Sequence, residues 1–299
     1  MPGRLSLLAP ILSKVRGMRR TLAKEIAKSG TALHAGAVVD MRLLPAESGT
    51  GIVFRRSDIG GQKIHALYDR VAETRLGTVI AEGDATVGVI EHLMAAIAGA
   101  QIDDLIVVLD GPEPPILDGD AFSYFRLIDD AGVKELRGAR KAIKVVRPVE
   151  VTISDAQIRL LPSRGSEYHF DLDYSNTKAI GKQSYTMTFT RETFAREIAP
   201  ARTFGFMHEL DALNKMGLGR GASLTNTIAI DGDSVVNKDL MRFPDEFVRH
   251  KILDAIGDMA LAGGPLIARF EGTKSGHTTN NAILRALFSD AANYELIEI

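Results

Sequence analysis

Glu91-His92-Leu93-Met94-Ala95-Ala96-Ile97-Ala98-Gly99 and Arg249-His250-Lys251-Ile252-Leu253-Asp254-Ala255-Ile256-Gly257 are the stretches on which the reading of this chain turns. Superposed at an offset of 158, both spell an amphipathic helix with a histidine in its first turn and a glycine at its end. The flanking sequence repeats as well. Arg42-Leu43-Leu44-Pro45 returns 117 residues later as Arg159-Leu160-Leu161-Pro162, each closing an alternating strand at a turn. A further strand follows in both places, at Gly51 to Arg55 and at Tyr168 to Tyr174. Beyond each histidine helix lies a buried-type strand closed by an acid and a glycine, Leu105 to Gly111 and Leu266 to Gly272. Another helix comes next, near Ala121 to Ala131 and near Asn280 to Phe288. Three echoes in one order predict two copies of a unit built as strands, helix, strand, helix.

The offset grows from 117 to 158, so the second copy holds 41 additional residues, around Ala199 to Asn237. They include Phe204, Phe206, Met207, Leu210, Leu213, Met216 and Leu218, then a glycine-rich turn and Thr227 to Ile230. An apolar helix and strand outside the repeated core read as a cap or a binding wall, and such an insert is where specificity would sit. The expected fold class is α+β, with two pseudo-symmetric domains, each a β-sheet layered with two helices, and the insert as a βαβ-like wall. The expected boundaries are an N-terminal extension over 1–20, a first domain over 21–140 and a second over 141–299, with its insert at about 199–237. A charged linker from Gly138 to Pro148 joins the two.

Composition narrows the class. The 299 residues are 45% hydrophobic and 25% charged, enough for two cores and unlike a disordered or collagenous chain. Lys plus Arg number 36 against 38 Asp plus Glu, so no global field holds a polyanion and no nucleic acid partner is expected. Cysteine is absent, which removes disulfides, thiolate nucleophiles and Cys-ligated metals. Any metal must be held by His, Asp or Glu. No apolar run approaches the roughly 20 residues of a membrane-spanning helix. Met1 to Lys24, basic with a short apolar patch at Leu5 to Leu12, reads as a transit-peptide-like segment or as a frayed extension, and carries no chemistry.

Within Asp245 to Asp258, the residues Glu246, His250, Asp254 and Asp258 recur at i+4 along one helical stripe. On an arbitrary helix such a stripe faces solvent. Here His250 and Asp254 can both reach one ion, and an approximate two-fold between the copies brings His92 to them. Two imidazoles and one carboxylate leave a position open on Zn²⁺, the pattern of a catalytic site. Glu91, beside a ligand, is then of the right type for a general base. His277, on the turn Gly272 to Asn281, reads equally as a general acid or as a polar loop residue. Thr273-Lys274-Ser275 lacks the glycines of a phosphate loop, and Gly217 to Gly221 follows no strand of a dinucleotide-binding unit. His34 reads equally as a satisfied turn histidine or as a residue lining a site. The acids and prolines of Leu109 to Gly119 read as fixing a loop.

These motifs resemble those of the UDP-3-O-acyl-N-acetylglucosamine deacetylases, zinc enzymes of lipid A biosynthesis. The resemblance runs from about Thr21 to Ala286 and rests on Gly30 to Gly36, Thr50 to Arg56, Glu91 to Ala96, Ala201 to Phe206, Asp245 to Asp258, and Lys274 to His277 with Asn280-Asn281. It implies His92, His250 and Asp254 as zinc ligands and Glu91 as the base. It further implies Thr203 and Lys251 near the developing oxyanion and substrate, and His277 as the cation or acid, oriented by Asp258. Phe204, Met207, Leu210 and Ser223 would line the passage for the fatty acyl chain, and Tyr174 would stack on the uracil. Gly88-Val89-Ile90, the lack of a cysteine near Gly77 and Thr278-Thr279 depart from the family pattern, at the substrate's edges only. The implied reaction releases acetate from UDP-3-O-(3-hydroxyacyl)-N-acetylglucosamine. The alternatives are a metalloamidase for another acylated sugar and a non-catalytic nucleotide-sugar binding module. A UDP-linked substrate implies cytoplasmic residence, with at most peripheral membrane contact, and a monomer is expected.

Overall fold

Val38–Pro45 buries Val39, Met41 and Leu43, and Glu167–Tyr174 buries Tyr168, Phe170 and Leu172, so each strand turns every second side chain inward. In the computed structural model, which describes residues 17–299, each belongs to a five-stranded sheet. The first runs Ile26–Thr31, Val38–Pro45, Leu105–Leu109, Ile52–Arg56, Gln62–His65; the second runs Val149–Ile153, Ala156–Leu161, Arg269–Thr273, Glu167–Tyr174, Gly181–Thr188. In both, the last strand of the sequence takes the centre, antiparallel to one neighbour and parallel to the other. Strand order and pairing sense are identical, and the α+β class expected from the repeat holds.

The register refines the alignment. Val107 lies opposite Leu43, and Phe270 lies opposite Leu160, so Val107 matches Phe270. The echo read between Leu105 to Gly111 and Leu266 to Gly272 is therefore two residues out. A slip of two keeps every side chain on its face, which is why the pattern looked right.

The helices Glu91–Gly99 and Glu246–Met259 pack on each other, flanked by Phe122–Ala131 and His277–Phe288 respectively, and the apolar side chains of both halves form one continuous core. Gly99 is the last residue of its helix, as the sequence suggested, but Gly257 lies inside its own. A Cβ on Gly257 would stand 2.0 Å from the Glu91 carbonyl oxygen, so this glycine lets the two backbones approach. The helix continues to Met259, and the left-handed cap falls at Gly263. His250 accordingly sits one turn inside its helix, which begins at Glu246, whereas His92 is in the first turn of its own. His277 opens the last helix, three residues earlier than the sequence suggested; the Thr279 hydroxyl accepts from the Gly276 N–H at 2.9 Å and closes that end.

The second-half insert is a βαβ unit, with Phe204–Phe206 parallel to Ile228–Asp231 and the helix Met207–Lys215 between them. The first half carries an insert too, a three-stranded sheet of Val71–Glu73, Val79–Glu82 and Ala85–Val87 that the sequence reading missed. Strands of three or four residues show too little alternation to register.

Residues 1–16 of the basic N-terminal stretch lie outside the described residues. Met18–Leu22 pairs with Val133–Ala139, so the expected boundary at residue 20 falls inside a strand. Arg19 anchors that strand to buried Asp104 at 2.6 and 2.7 Å. Pairing partners change at Arg140: Lys141–Val145 joins Leu266–Ile267 and Tyr294–Glu298 of the second half. Among the described residues no helix is long and apolar enough to cross a membrane.

Candidate metal centre and active site

The i+4 stripe of the long helix faces inward along its whole length, Glu246, His250, Asp254 and Asp258 each being at most 3% exposed. Its first member is structural. Glu246 forms a buried ion pair with Arg202 at 3.0 Å and accepts from the backbone N–H groups of Arg202 and Arg242. That anchorage fixes Ala201, whose carbonyl accepts from His250 Nδ1 at 3.0 Å and so turns Nε2 toward the centre.

His92, His250 and Asp254 converge from the two packed helices, with one donor atom from each lying within 4.8 Å of the others. The imidazoles meet edge to face at 4.9 Å. His250 Nε2 is 3.3 Å and His92 Nε2 is 3.8 Å from Asp254 Oδ1. Burial, with His250 beside it, drives His92 down to about 3, and burial lowers His250 as well, so both rings are neutral donors. Burial works to raise Asp254, but His250 and Lys251, the latter at 2.7 Å, hold it well below the carboxylate range. His92 Nδ1 is buried with no hydrogen-bond partner. Two neutral imidazoles that turn their Nε2 atoms toward one ionised carboxylate are a donor set that a divalent cation completes.

Around this centre stand two groups whose titration is displaced toward neutrality and above it. Glu91 is 3% exposed; burial lifts its carboxyl to about 7 against the attraction of His277, with Asp258 and Asp254 adding to the rise. Its Oε2 accepts from the Thr78 N–H at 3.0 Å, and its Oε1 stands 3.9 Å from His277 Nε2. A Cβ at Gly77 would lie 2.8 Å from Oε1, so the residue before Thr78 leaves room for the carboxylate. Burial opposes a charge on His277, but Asp258 and then Glu91 outweigh it and raise the imidazole to about 9. Asp258 Oδ2 takes His277 Nδ1 and Asn280 Nδ2, both at 2.8 Å, while Oδ1 takes the Thr78 hydroxyl at 2.5 Å. Two groups of opposite charge preference thus face each other across the centre.

The remaining sequence candidates divide. Lys251, raised by Asp254 in spite of burial, points its ammonium at the Phe204 ring, 5.6 Å from the centroid. Phe204 itself is 6.3 Å from the His250 ring, and Tyr174 joins it at 6.1 Å and Phe206 at 5.8 Å in an aromatic wall. Thr203 immediately precedes Phe204 of that wall, its N–H donating to the Gly119 carbonyl and its own carbonyl accepting from Ile228. Met207 is exposed, and Leu210 is half-buried beside Gly219. Ser223 stands apart, on a cavity of about 520 Å³ shared with Lys28, Thr31, Asp118 and Asn226. His34 is a tied turn residue: Nε2 meets the Leu76 carbonyl at 3.0 Å and Nδ1 accepts from the Gly219 N–H at 3.3 Å, joining the two inserts. Between those inserts a notch of about 110 Å³ opens, lined by Leu76, Val79, Val89 and Leu218. A larger cavity of about 270 Å³, at Ile97, Ile256 and Met259, lies at the other end of the paired helices and touches none of the candidate residues. The loop of acids and prolines is structural as read, Glu113 accepting from the His34 and Ala35 N–H groups and Tyr124 donating to the Pro115 carbonyl.

Sequence reasoning missed Thr78 and left Asn280 without a role. Asn280 is visible only as half of an Asn-Asn pair one turn after His277, and a lone threonine just before a short strand carries no signal at all.

Residues 19–289 match the model of the family described as UDP-3-O-acyl N-acetylglycosamine deacetylase. Proteins named UDP-3-O-acyl-N-acetylglucosamine deacetylase are similar over nearly their whole length. The Myxococcus xanthus protein is 44% identical over 280 residues, covering 93% of this chain and 89% of the relative. That of Aliarcobacter butzleri is 42% identical over 282 residues, 94% and 93% respectively. That of Phenylobacterium zucineum is 44% identical over 262 residues, 87% and 89%.

Proposed function

Because this chain belongs to the UDP-3-O-acyl N-acetylglycosamine deacetylase family, we propose that it hydrolyses the N-acetyl group of UDP-3-O-(3-hydroxyacyl)-N-acetylglucosamine, with Zn²⁺ held by His92, His250 and Asp254. The products are acetate and UDP-3-O-(3-hydroxyacyl)-glucosamine, the committed step of lipid A biosynthesis, and a UDP-linked substrate fits work in the cytoplasm. The observation that carries this reading is a neutral bis-histidine and carboxylate set flanked by a carboxyl raised to about 7 and an imidazole raised to about 9. A binding module has no use for such a divided pair.

When bound, zinc supplies Lewis acidity toward the acetamide carbonyl and a lowered pKa for the attacking water. The chain's own groups do the rest. Glu91, ionised at working pH and aimed by the Thr78 N–H, takes the proton of the attacking water. Thr203 and the ammonium of Lys251 meet the developing oxyanion and the substrate. His277, protonated through its bond to Asp258, gives its Nε2 proton to the departing glucosamine nitrogen as the C–N bond breaks. The aromatic wall of Tyr174 and Phe204 offers a stacking face for the uracil. Phe204, Met207 and Leu210, with the notch between the inserts, offer an apolar path for the acyl chain.

The experiment is acetate release from the purified chain with UDP-3-O-(3-hydroxyacyl)-N-acetylglucosamine, before and after chelation and with zinc added back. Release that chelation stops and zinc restores is the expected result. No release from folded, zinc-loaded protein would remove the assignment and turn attention to other acylated sugars.

A further inference from the structure

Thr78 is the residue through which the first-half insert touches both proton-handling groups at once. It immediately precedes the strand Val79–Glu82 and is 1% exposed. Its N–H donates to Glu91 Oε2 at 3.0 Å, and its hydroxyl donates to Asp258 Oδ1 at 2.5 Å while lying 3.3 Å from His277 Nδ1. The same insert is tied to the His277 helix a second time, Thr74 Oγ1 meeting Thr278 Oγ1 at 2.8 Å. Glu91 comes from one half of the molecule and Asp258 and His277 from the other, so this single residue spans the gap between base and acid.

We propose that Thr78 is a positioning residue that sets the acidity of His277 through Asp258. The proposal deepens the deacetylase reading and rests on it for the identity of the reaction. The charged groups facing His277 are Asp258, Glu91 and Asp254. Once His277 loses its proton, the Asp258 carboxylate is left without an ion pair, and a hydroxyl donor stabilises that bare anion more than it stabilises the paired one. The Thr78 hydroxyl therefore draws His277 downward from where Asp258 alone would hold it. A less basic imidazole is the better proton donor to a leaving amine near neutral pH. Thr78 also keeps Asp258 from rotating, because its oxygen is fixed by the backbone bond to Glu91.

The test compares zinc-loaded wild-type protein with Thr78→Val and Thr78→Ser. Valine keeps the bulk and the backbone N–H but removes the hydroxyl; serine restores it. In Thr78→Val, the imidazole titration of His277, followed by ¹⁵N NMR without turnover, is expected to move up by about 0.5 to 1 unit. Its kcat for acetate release falls about tenfold with KM unchanged, and Thr78→Ser returns both quantities toward wild type. An unmoved His277 titration in folded Thr78→Val overturns the proposal, as does an equal loss in the serine and valine variants. The NMR titration separates the two claims, because it reads the Thr78–Asp258–His277 linkage even if the wild-type protein released no acetate.

Discussion

Glu91 and Asp254 are carboxylates of one site, each 3% exposed, yet their surroundings drive them in opposite directions. Asp254 has an ammonium at 2.7 Å and a histidine nitrogen at 3.3 Å, which hold it well below the usual carboxylate range. Glu91 has one backbone N–H and an imidazole at 3.9 Å, too little to offset burial, and rises to about 7. Equal burial with unequal partners teaches that desolvation alone assigns no role. The partners do, by making one group a permanent anion fit to hold a cation and the other a group that changes charge near neutrality.

Replacing each carboxylate in turn should pull these roles apart. Glu91→Ala is expected to lower kcat by about 10³-fold with zinc content intact, whereas Asp254→Ala loses activity together with zinc. Metal analysis of the purified variants beside their kcat values checks the contrast; parallel zinc loss in both would dissolve it. A smaller effect tests the partner of Glu91. Activity should follow a bell, rising as Glu91 ionises and falling as His277 deprotonates at about 9. A cation at the neighbouring ligands favours the ionised carboxyl, placing the acid limb at or below 7. His277→Gln removes the alkaline limb and costs about 10²-fold in kcat; a limb that survives the substitution would have another owner. The mildest test concerns the packing that brings the two helices together. Gly257→Ala forces a Cβ against the Glu91 carbonyl and is expected to cost about 1 to 3 kcal/mol of stability, read from denaturant unfolding. An unchanged midpoint would mean the helices part without penalty.

The duplicated sheets and the paired histidine helices were legible because long alternating strands and i+4 stripes repeat in order. The second-half βαβ insert was legible because it lengthens one copy. The first-half insert was not, since its strands are only three or four residues long and have no partner elsewhere in the chain. Thr78 disappeared with it. Glycines misled in a physical way: Gly257 reads as a cap in sequence, but spacing cannot distinguish a helix end from a place where two backbones touch. His34 and Ser223 show the same limit, because a polar residue in a turn looks alike whether it faces a ligand or ties one loop to another.

The division between the two carboxylates is tested most directly by zinc titration, at equilibrium against a competing chelator, of wild-type protein, Glu91→Gln and Asp254→Asn. The account predicts that Glu91→Gln binds zinc within a fewfold of wild type, whereas Asp254→Asn binds at least about tenfold more weakly. Equal weakening in both, or tight binding by Asp254→Asn, would contradict it.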